Sequence, residues 1–274
     1  MTDVITMLEK AAMDHKDRIA FADPDKSITY GELNDTVLRI ATLFLRDERF
    51  GPLEAEDGVG FYMEKSTDAV GVMLGAVRAL AFYSFIDVRQ PAERAASVIS
   101  ILAPKLIITD IENEEALRGI MAQADELKPQ IVLINDLLEC AAKCEPDEGL
   151  LKEAGMKACD IRPLYVNFTS GSTGTPKGVA VSHRSVIDFI RVFTGTFNIT
   201  HEDILANQAP FDFDVSVKDI YSGLYTGASV WLIPRDYFSN PVLLMDYLAD
   251  NKVTTLIWAV SAMCFVSIMN GLEY

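Results

Sequence analysis

Between Thr29 and Leu45 the apolar residues Leu33, Val37, Ile40, Ala41, Leu43 and Leu45 recur at helical spacing. Thr29, followed three residues later by Glu32, has capping-box spacing, so the pattern predicts a helix of about 17 residues opening there. Upstream, Val4 to Asp14 reads as a helix, and Arg18 to Ala22 and Ser27 to Thr29 flank the turn Asp23, Pro24, Asp25 as a small hairpin. Downstream, strand-like and helix-like segments alternate. Val59 to Met63, Phe82 to Ile86, Leu106 to Thr109 and Ile131 to Ile134 read as strands, with helices over Thr67 to Leu80, Ala92 to Leu102 and Glu114 to Leu127. The polar, acidic stretch Glu145 to Asp160 reads as a surface excursion.

The rhythm then resumes. Strands are expected at Leu164 to Phe168, Val179 to Val181, Leu205 to Gln208, Ser229 to Ile233 and Thr254 to Trp258. Helices are expected from about Ser182, near Val215 to Tyr225 and near Pro241 to Ala249. Such alternation predicts an α/β fold of mostly parallel sheets flanked by helices, as one main unit with appendages. Val253 to Leu272 runs for twenty residues without a charge. Its front is β-branched and hydroxyls interrupt it, so it reads as core strand and helix and not as a membrane span.

Half of the 274 residues are hydrophobic and 23% are charged, which excludes a disordered or low-complexity chain. With 24 basic against 40 acidic residues the net charge is −16, so nucleic acid and anionic membrane are excluded as broad electrostatic partners. Four cysteines and three histidines are too scattered for a disulfide framework or a zinc site, so no metal ligands are assigned. Cys140 and Cys144, four apart, read as buried or idle thiols. The first residues carry Asp3, Glu9 and Lys10 and hold no apolar core of the secretory kind. A reducing, cytoplasmic setting is expected.

The densest chemistry lies after the strand at Leu164 to Phe168. Thr169, Ser170, Gly171, Ser172, Thr173, Gly174, Thr175, Pro176, Lys177 and Gly178 combine glycines, hydroxyls and a lysine. Glycines let main-chain N–H groups approach phosphate oxygens closely, hydroxyls add donors, and a lysine neutralises charge developing on a leaving phosphate. The loop is not of the Walker A type, because Lys177 stands between Pro176 and Gly178.

The run Tyr165 to Val179, YVNFTSGSTGTPKGV, closely resembles the phosphate-loop signature of the adenylate-forming ligase superfamily. Ile28 to Asn34, ITYGELN, resembles the family's early core motif. Arg78 to Asp87, RALAFYSFID, resembles the following one, with Leu80 where glycine and Phe85 where proline are common. The resemblance implies attack of a carboxylate on the α-phosphate of ATP, giving an acyl-adenylate and pyrophosphate, then transfer to a thiol. It makes Lys177 the catalytic residue, and Thr169, Ser170, Gly171, Ser172, Thr173, Gly174 and Lys177 the binders of the ATP phosphates. Phe213 to Val217, FDVSV, resembles the block of amino-acid-activating members, as in nonribosomal peptide synthetases and D-alanine carrier-protein ligases. There the aspartate, here Asp214, pairs with the substrate's α-amino group, as a buried or half-buried carboxylate does strongly. The competing role for Asp214 is the N-cap of the following helix.

The same resemblance places Val215 and Lys218 in the substrate pocket, and Trp258 is a further wall candidate with a core role as its alternative. Lys218 either makes an i,i+4 ion pair with Asp214 or turns its ammonium to the pocket. His183 reads as a helix-start or surface residue. No YGPTE-like segment, TGD-like segment or late catalytic lysine occurs before Tyr274. The resemblance therefore implies the N-terminal part of the family's large domain over residues 1–274, with the lid domain and most Mg2+ ligands in segments absent here, and no activity for this piece alone. ATP, an amino acid and a phosphopantetheinyl carrier protein are the implied partners. An acyl- or aryl-coenzyme A ligase is the alternative enzyme, and a noncatalytic nucleotide-binding or docking module the alternative of another class.

Overall fold

The structure, a computed structural model, describes residues 2–122, 129–169, 175–269 and 271. In chain order the elements begin with α1 (Ile5–Asp14), β1 (Ile19–Ala22), β2 (Ser27–Thr29), α2 (Tyr30–Arg46), β3 (Gly58–Tyr62), α3 (Thr67–Arg78) and β4 (Phe82–Phe85). Next come α4 (Ala92–Leu102), β5 (Leu106–Thr109), α5 (Glu114–Met121), β6 (Gln130–Leu133), α6 (Ile134–Ala142), α7 (Glu148–Met156), β7 (Pro163–Thr169) and β8 (Lys177–Ser182). The last elements are α8 (His183–Phe197), β9 (Ile204–Asn207), α9 (Ser216–Thr226), β10 (Ser229–Leu232), a 3-10 turn at Arg235–Ser239, α10 (Pro241–Asp250) and α11 (Val260–Ile268).

The chain divides into two compact units rather than one main unit with appendages. The first holds Met1–Thr6, Leu33–Glu64 and Asp68–Ile187; the second holds Met7–Glu32, Lys65–Thr67 and Asp188–Tyr274. Each has its own sheet, and sequence alternation does not say which sheet a strand joins.

In the first unit six strands run in the order β6-β5-β3-β4-β7-β8, all parallel except the antiparallel pair β7–β8. Every residue of β3 and β5 is buried, which is why these segments are apolar at consecutive positions and do not alternate. Ala95, Val98 and Ile99 of α4 pack with Tyr62, Ile86, Ile107, Leu117 and Ile120. Each fully buried aliphatic side chain of such a cluster contributes about 1.5–3 kcal/mol relative to exposure. Gly75 of α3 lies so close to Ile40 of α2 that any side chain there meets the isoleucine. Leu80, at the position where the resemblance expects glycine, adopts φ 69°, in the left-handed region where glycine is the default residue.

In the second unit the order is β2-β1-β10-β9, with the expected β1–β2 hairpin antiparallel and the other pairs parallel. The capping box forms: the Glu32 carboxylate accepts from the Thr29 N–H at 2.9 Å, and the Glu32 N–H donates to Thr29 Oγ1 at 3.3 Å. The buried Tyr30 hydroxyl has the carbonyls of Gly223 (2.6 Å) and Ala228 (2.7 Å) as acceptors, joining the start of α2 to the end of α9.

Two expectations are corrected and a third is met as far as the described residues reach. The acidic stretch contains the helix α7, whose N-cap Asp147 accepts from the Leu150 N–H at 3.0 Å, and α6 precedes it. The strand expected at Thr254 to Trp258 is a single bridge, Leu205 to Thr255. There the Thr254 and Thr255 hydroxyls donate to Asp203 Oδ1 at 3.0 and 2.8 Å, side-chain bonds standing where a ladder was expected. The helix expected over Glu114 to Leu127 is described to Met121, and residues 123–128 lie outside the described residues. No helix of the described residues is long and apolar enough to cross a membrane.

Candidate functional site

In the first unit the hairpin β7–β8 carries the glycine and hydroxyl loop. Its register pairs Tyr165 with Val181, Asn167 with Val179 and Thr169 with Lys177. The last pair stands at the loop end, so the main-chain ladder sets Thr169 and Lys177 opposite each other where the loop begins and ends. The foot of the hairpin is anchored: Leu164 and Tyr165 are buried, and the Tyr165 ring lies 5.7 Å from that of Tyr83. The tip is not, since Thr169, Thr175 and Lys177 are exposed. Ser170, Gly171, Ser172, Thr173 and Gly174 lie outside the described residues. What the geometry provides is an exposed lysine and an exposed threonine at the two ends of a glycine-rich segment, an arrangement suited to an anion.

His183 opens α8 just after this hairpin, matching the helix-start reading, but it is buried and not at the surface. Its Nδ1 accepts the Val4 N–H at 3.3 Å. Burial holds the imidazole below its ordinary pKa, and Asp3 and Asp160 oppose that only in part. A neutral ring is what the accepting Nδ1 requires.

The second unit holds the remaining predicted residues. β9 ends at Asn207, and the chain then turns: the Phe213 N–H bonds the Pro210 carbonyl (3.2 Å), the Ser216 N–H that of Phe213 (3.0 Å), and the Val217 N–H that of Asp214 (3.1 Å). Asp214 is exposed, not buried or half-buried, while Phe211 and Ser216 on either side are buried. The N-cap position of α9 falls to Val215, which is half-buried and makes no side-chain cap bond.

Lys218 is buried and takes Asp219 as its charge partner, Nζ to Oδ1 2.7 Å, where the sequence offered Asp214. Asp219 Oδ2 accepts from Asn207 Nδ2 at 3.0 Å. Burial raises the Asp219 carboxyl above its ordinary value, with Lys218 and Asn207 pulling the other way. Trp258 is buried, its ring meets Phe238 at 5.5 Å and its Nε1–H donates to the Ala206 carbonyl at 2.7 Å.

Sequence reasoning missed Asn207, Asp219 and Lys65. Asn207 is a polar residue closing an apolar strand and Asp219 directly follows Lys218, so both carried a faint signal. Lys65, between β3 and α3, carried none. Among the described residues no group of three or more His, Cys, Asp or Glu side chains gathers to hold a metal ion.

The first unit presents a lysine at the mouth of a glycine-rich hairpin, and the second presents an aspartate at the entry of a helix after a parallel strand. A parallel α/β fold carrying a loop of that composition is suited to the phosphates of a nucleotide. The chain belongs to the AMP-binding enzyme family, whose model matches residues 8–271. It is 28% identical over 250 residues to the D-alanine--D-alanyl carrier protein ligase of Bacillus cytotoxicus, covering 91% of this chain and 46% of that protein. It is 31% identical over 250 residues to tyrocidine synthase 3 of Brevibacillus parabrevis, covering 91% of this chain and 4% of that protein. Among solved structures, a four-domain holo nonribosomal peptide synthetase bound to AMP and glycine superposes with TM-score 0.73 and 25% identity, over 93% of this chain and 17% of that one. The chain thus spans about half the length of the carrier-protein ligase and a small part of the synthetases.

Proposed function

We propose that this chain supplies the phosphate loop and the amino-group anchor of an ATP-dependent amino-acid adenylating ligase. In the reaction a substrate carboxylate oxygen attacks the α-phosphorus of ATP, the bond from that phosphorus to the bridging oxygen of the β-phosphate breaks, and pyrophosphate leaves. Lys177 and the donors of residues 169–174 bind the departing phosphates and stabilise charge that grows on them. Asp214 holds the substrate ammonium, which fixes the carboxylate for attack. The sulfur of a thiol then attacks the acyl carbon of the adenylate, the bond from that carbon to the phosphate oxygen breaks, and AMP leaves as the thioester forms. We read that thiol as belonging to a phosphopantetheinyl carrier protein, because the Bacillus cytotoxicus relative is by name a carrier protein ligase. Mg2+ enters as the counter-ion of the nucleotide phosphates, and no described residue is assigned to it.

The observation that carries this reading is the exposure of Asp214 in a turn that runs between the buried Phe211 and the buried Ser216: a carboxylate held at the surface by a turn can meet an incoming ammonium there without the cost of carrying both charges into the core. Glycine and AMP in the structural relative support the same substrate class. The test is ATP–pyrophosphate exchange by the full-length polypeptide carrying these residues. Amino acids are expected to drive exchange, and Asp214→Asn to raise their KM by about 10²-fold while the KM for ATP stays put. Exchange driven by carboxylic acids lacking an amine, and not by amino acids, overturns the reading in favour of an acyl- or aryl-coenzyme A ligase.

A further inference from the structure

We propose that Lys65 is a positioning residue for amino-acid binding, acting on Asp214 through the main chain without touching the substrate. The Lys65 Nζ lies 2.9 Å from the Asn207 carbonyl oxygen, 2.8 Å from Asn207 Oδ1, 3.1 Å from the Gln208 carbonyl and 3.1 Å from the Ala209 carbonyl. In an extended strand successive carbonyls point to opposite sides. Three consecutive carbonyls converging on one point therefore mean a sharp bend, and like dipoles brought together repel unless a cation sits among them. An ammonium, with three donors on one compact centre, meets that need.

The bend lies where β9 ends and the chain sets out toward Asp214. From Ala209 the path runs through the turn closed by Phe213 N–H and Pro210 O and reaches Asp214 five residues later. The far end is tied to the same asparagine, because Asn207 Nδ2 donates to Asp219 Oδ2 while its Oδ1 accepts from Lys65. The segment 208–218 is thereby held at both ends by Asn207, and Lys65 sets the orientation of that residue and the curvature of the chain leaving it. Loss of the cation releases the bend and lets Asp214 drift from the position at which it meets an ammonium.

The proposal rests on the reading of Asp214 as the amino-group anchor, and the experiment separates the two. In pyrophosphate exchange by the full-length polypeptide, Lys65→Met is expected to raise the KM for the amino acid by about tenfold or more, with the KM for ATP changed less than about twofold. Lys65→Arg keeps the charge but spreads its donors over a planar fork, so it restores the amino-acid KM in part. Amide hydrogen exchange over residues 208–214 is expected to quicken selectively in Lys65→Met. If that variant does not fold, Lys65→Arg serves alone, with the same split between the two KM values at smaller size. Unchanged amino-acid KM, or an equal rise in both KM values, overturns the positioning role and leaves the Asp214 assignment standing. Exchange driven only by acids without an amine overturns both.

Discussion

The hairpin β7–β8 and the passage from β9 into α9 handle charge in opposite ways. At the hairpin the groups proposed to bind phosphate are outside: Thr169 and Lys177 are exposed and stand opposite each other in the strand register. In the passage from β9 Asp214 is exposed, but the charges of the helix that follows are inside, Lys218 and Asp219 at 9% and 3% exposure, and the half-buried Lys65 is ringed by carbonyls. A polyanion is met by many donors at once, so each contact tolerates latitude, and a main-chain ladder suffices to present them. A single ammonium is met by one carboxylate, whose direction decides the outcome, and a buried network of bonds supplies that direction. On the proposed reading, placement by ladder spares stability at the hairpin, whereas placement by buried ions binds stability and function together in the second unit.

The sharpest break of this contrast is at Lys177. Lys177→Ala in the full-length polypeptide is expected to lower pyrophosphate exchange by about 10²-fold, with the thermal midpoint unmoved, because the side chain is exposed. A large loss of stability would show that the hairpin too is held by its charge.

Next in size is Asp219→Asn, which strands the buried Lys218 ammonium and is expected to cost about 3 kcal/mol in urea unfolding. Lys218→Met is expected to cost less at acid pH than at neutral pH. The Asp219 carboxyl is raised in the folded state, so the native protein binds its proton more tightly than the unfolded chain does. Stability from this group is therefore present below the unfolded carboxylate value, about 3.9, and is lost as pH rises through the folded one. Removing Lys218 takes away one of the groups opposing burial and steepens that loss. Urea midpoints of Lys218→Met that do not fall with pH would mean that Asp219 does not depend on its neighbour.

The two regions also differ in what could be read from the chain. The two strands of the hairpin were legible, though not their antiparallel pairing: Leu164 to Phe168 and Val179 to Val181 stand as β7 and β8, because a β-branched and aromatic run broken by glycines has few other conformations. The helix entry at Val215 and the capping box at Thr29 were legible for similar local reasons. The Lys218–Asp219 pair was not, since spacing along a helix proposes partners four apart and says nothing of adjacent residues turned inward together. Lys65 was invisible because the oxygens it binds are mostly main-chain carbonyls, the first of them 142 residues away, which leave no mark in side-chain pattern. The split into two sheets was hidden for the same reason: β1 pairs β10, Phe21 against Val230, a separation no local periodicity reports.

The smallest effect concerns Trp258, where core and pocket-wall roles can be told apart. Its indole N–H donates to the Ala206 carbonyl, within the strand that ends at Asn207, and its ring packs edge-on against Phe238. Trp258→Phe keeps an aromatic ring, removes the donor and leaves a buried carbonyl without that bond, at a cost of about 1–2 kcal/mol. The Ala206 N–H is bonded separately to the Thr255 carbonyl at 3.3 Å and the strand keeps its pairing with β10, so the substitution should fold. A core role predicts that the thermal midpoint falls while the KM for the amino acid holds steady. A pocket-wall role predicts the reverse, with substrate preference shifting toward larger side chains as the ring shrinks. Because Ala206 directly precedes the residue that Lys65 and Asp219 hold, a rise in amino-acid KM without a change in preference would mean that Trp258 joins them in steadying the end of β9.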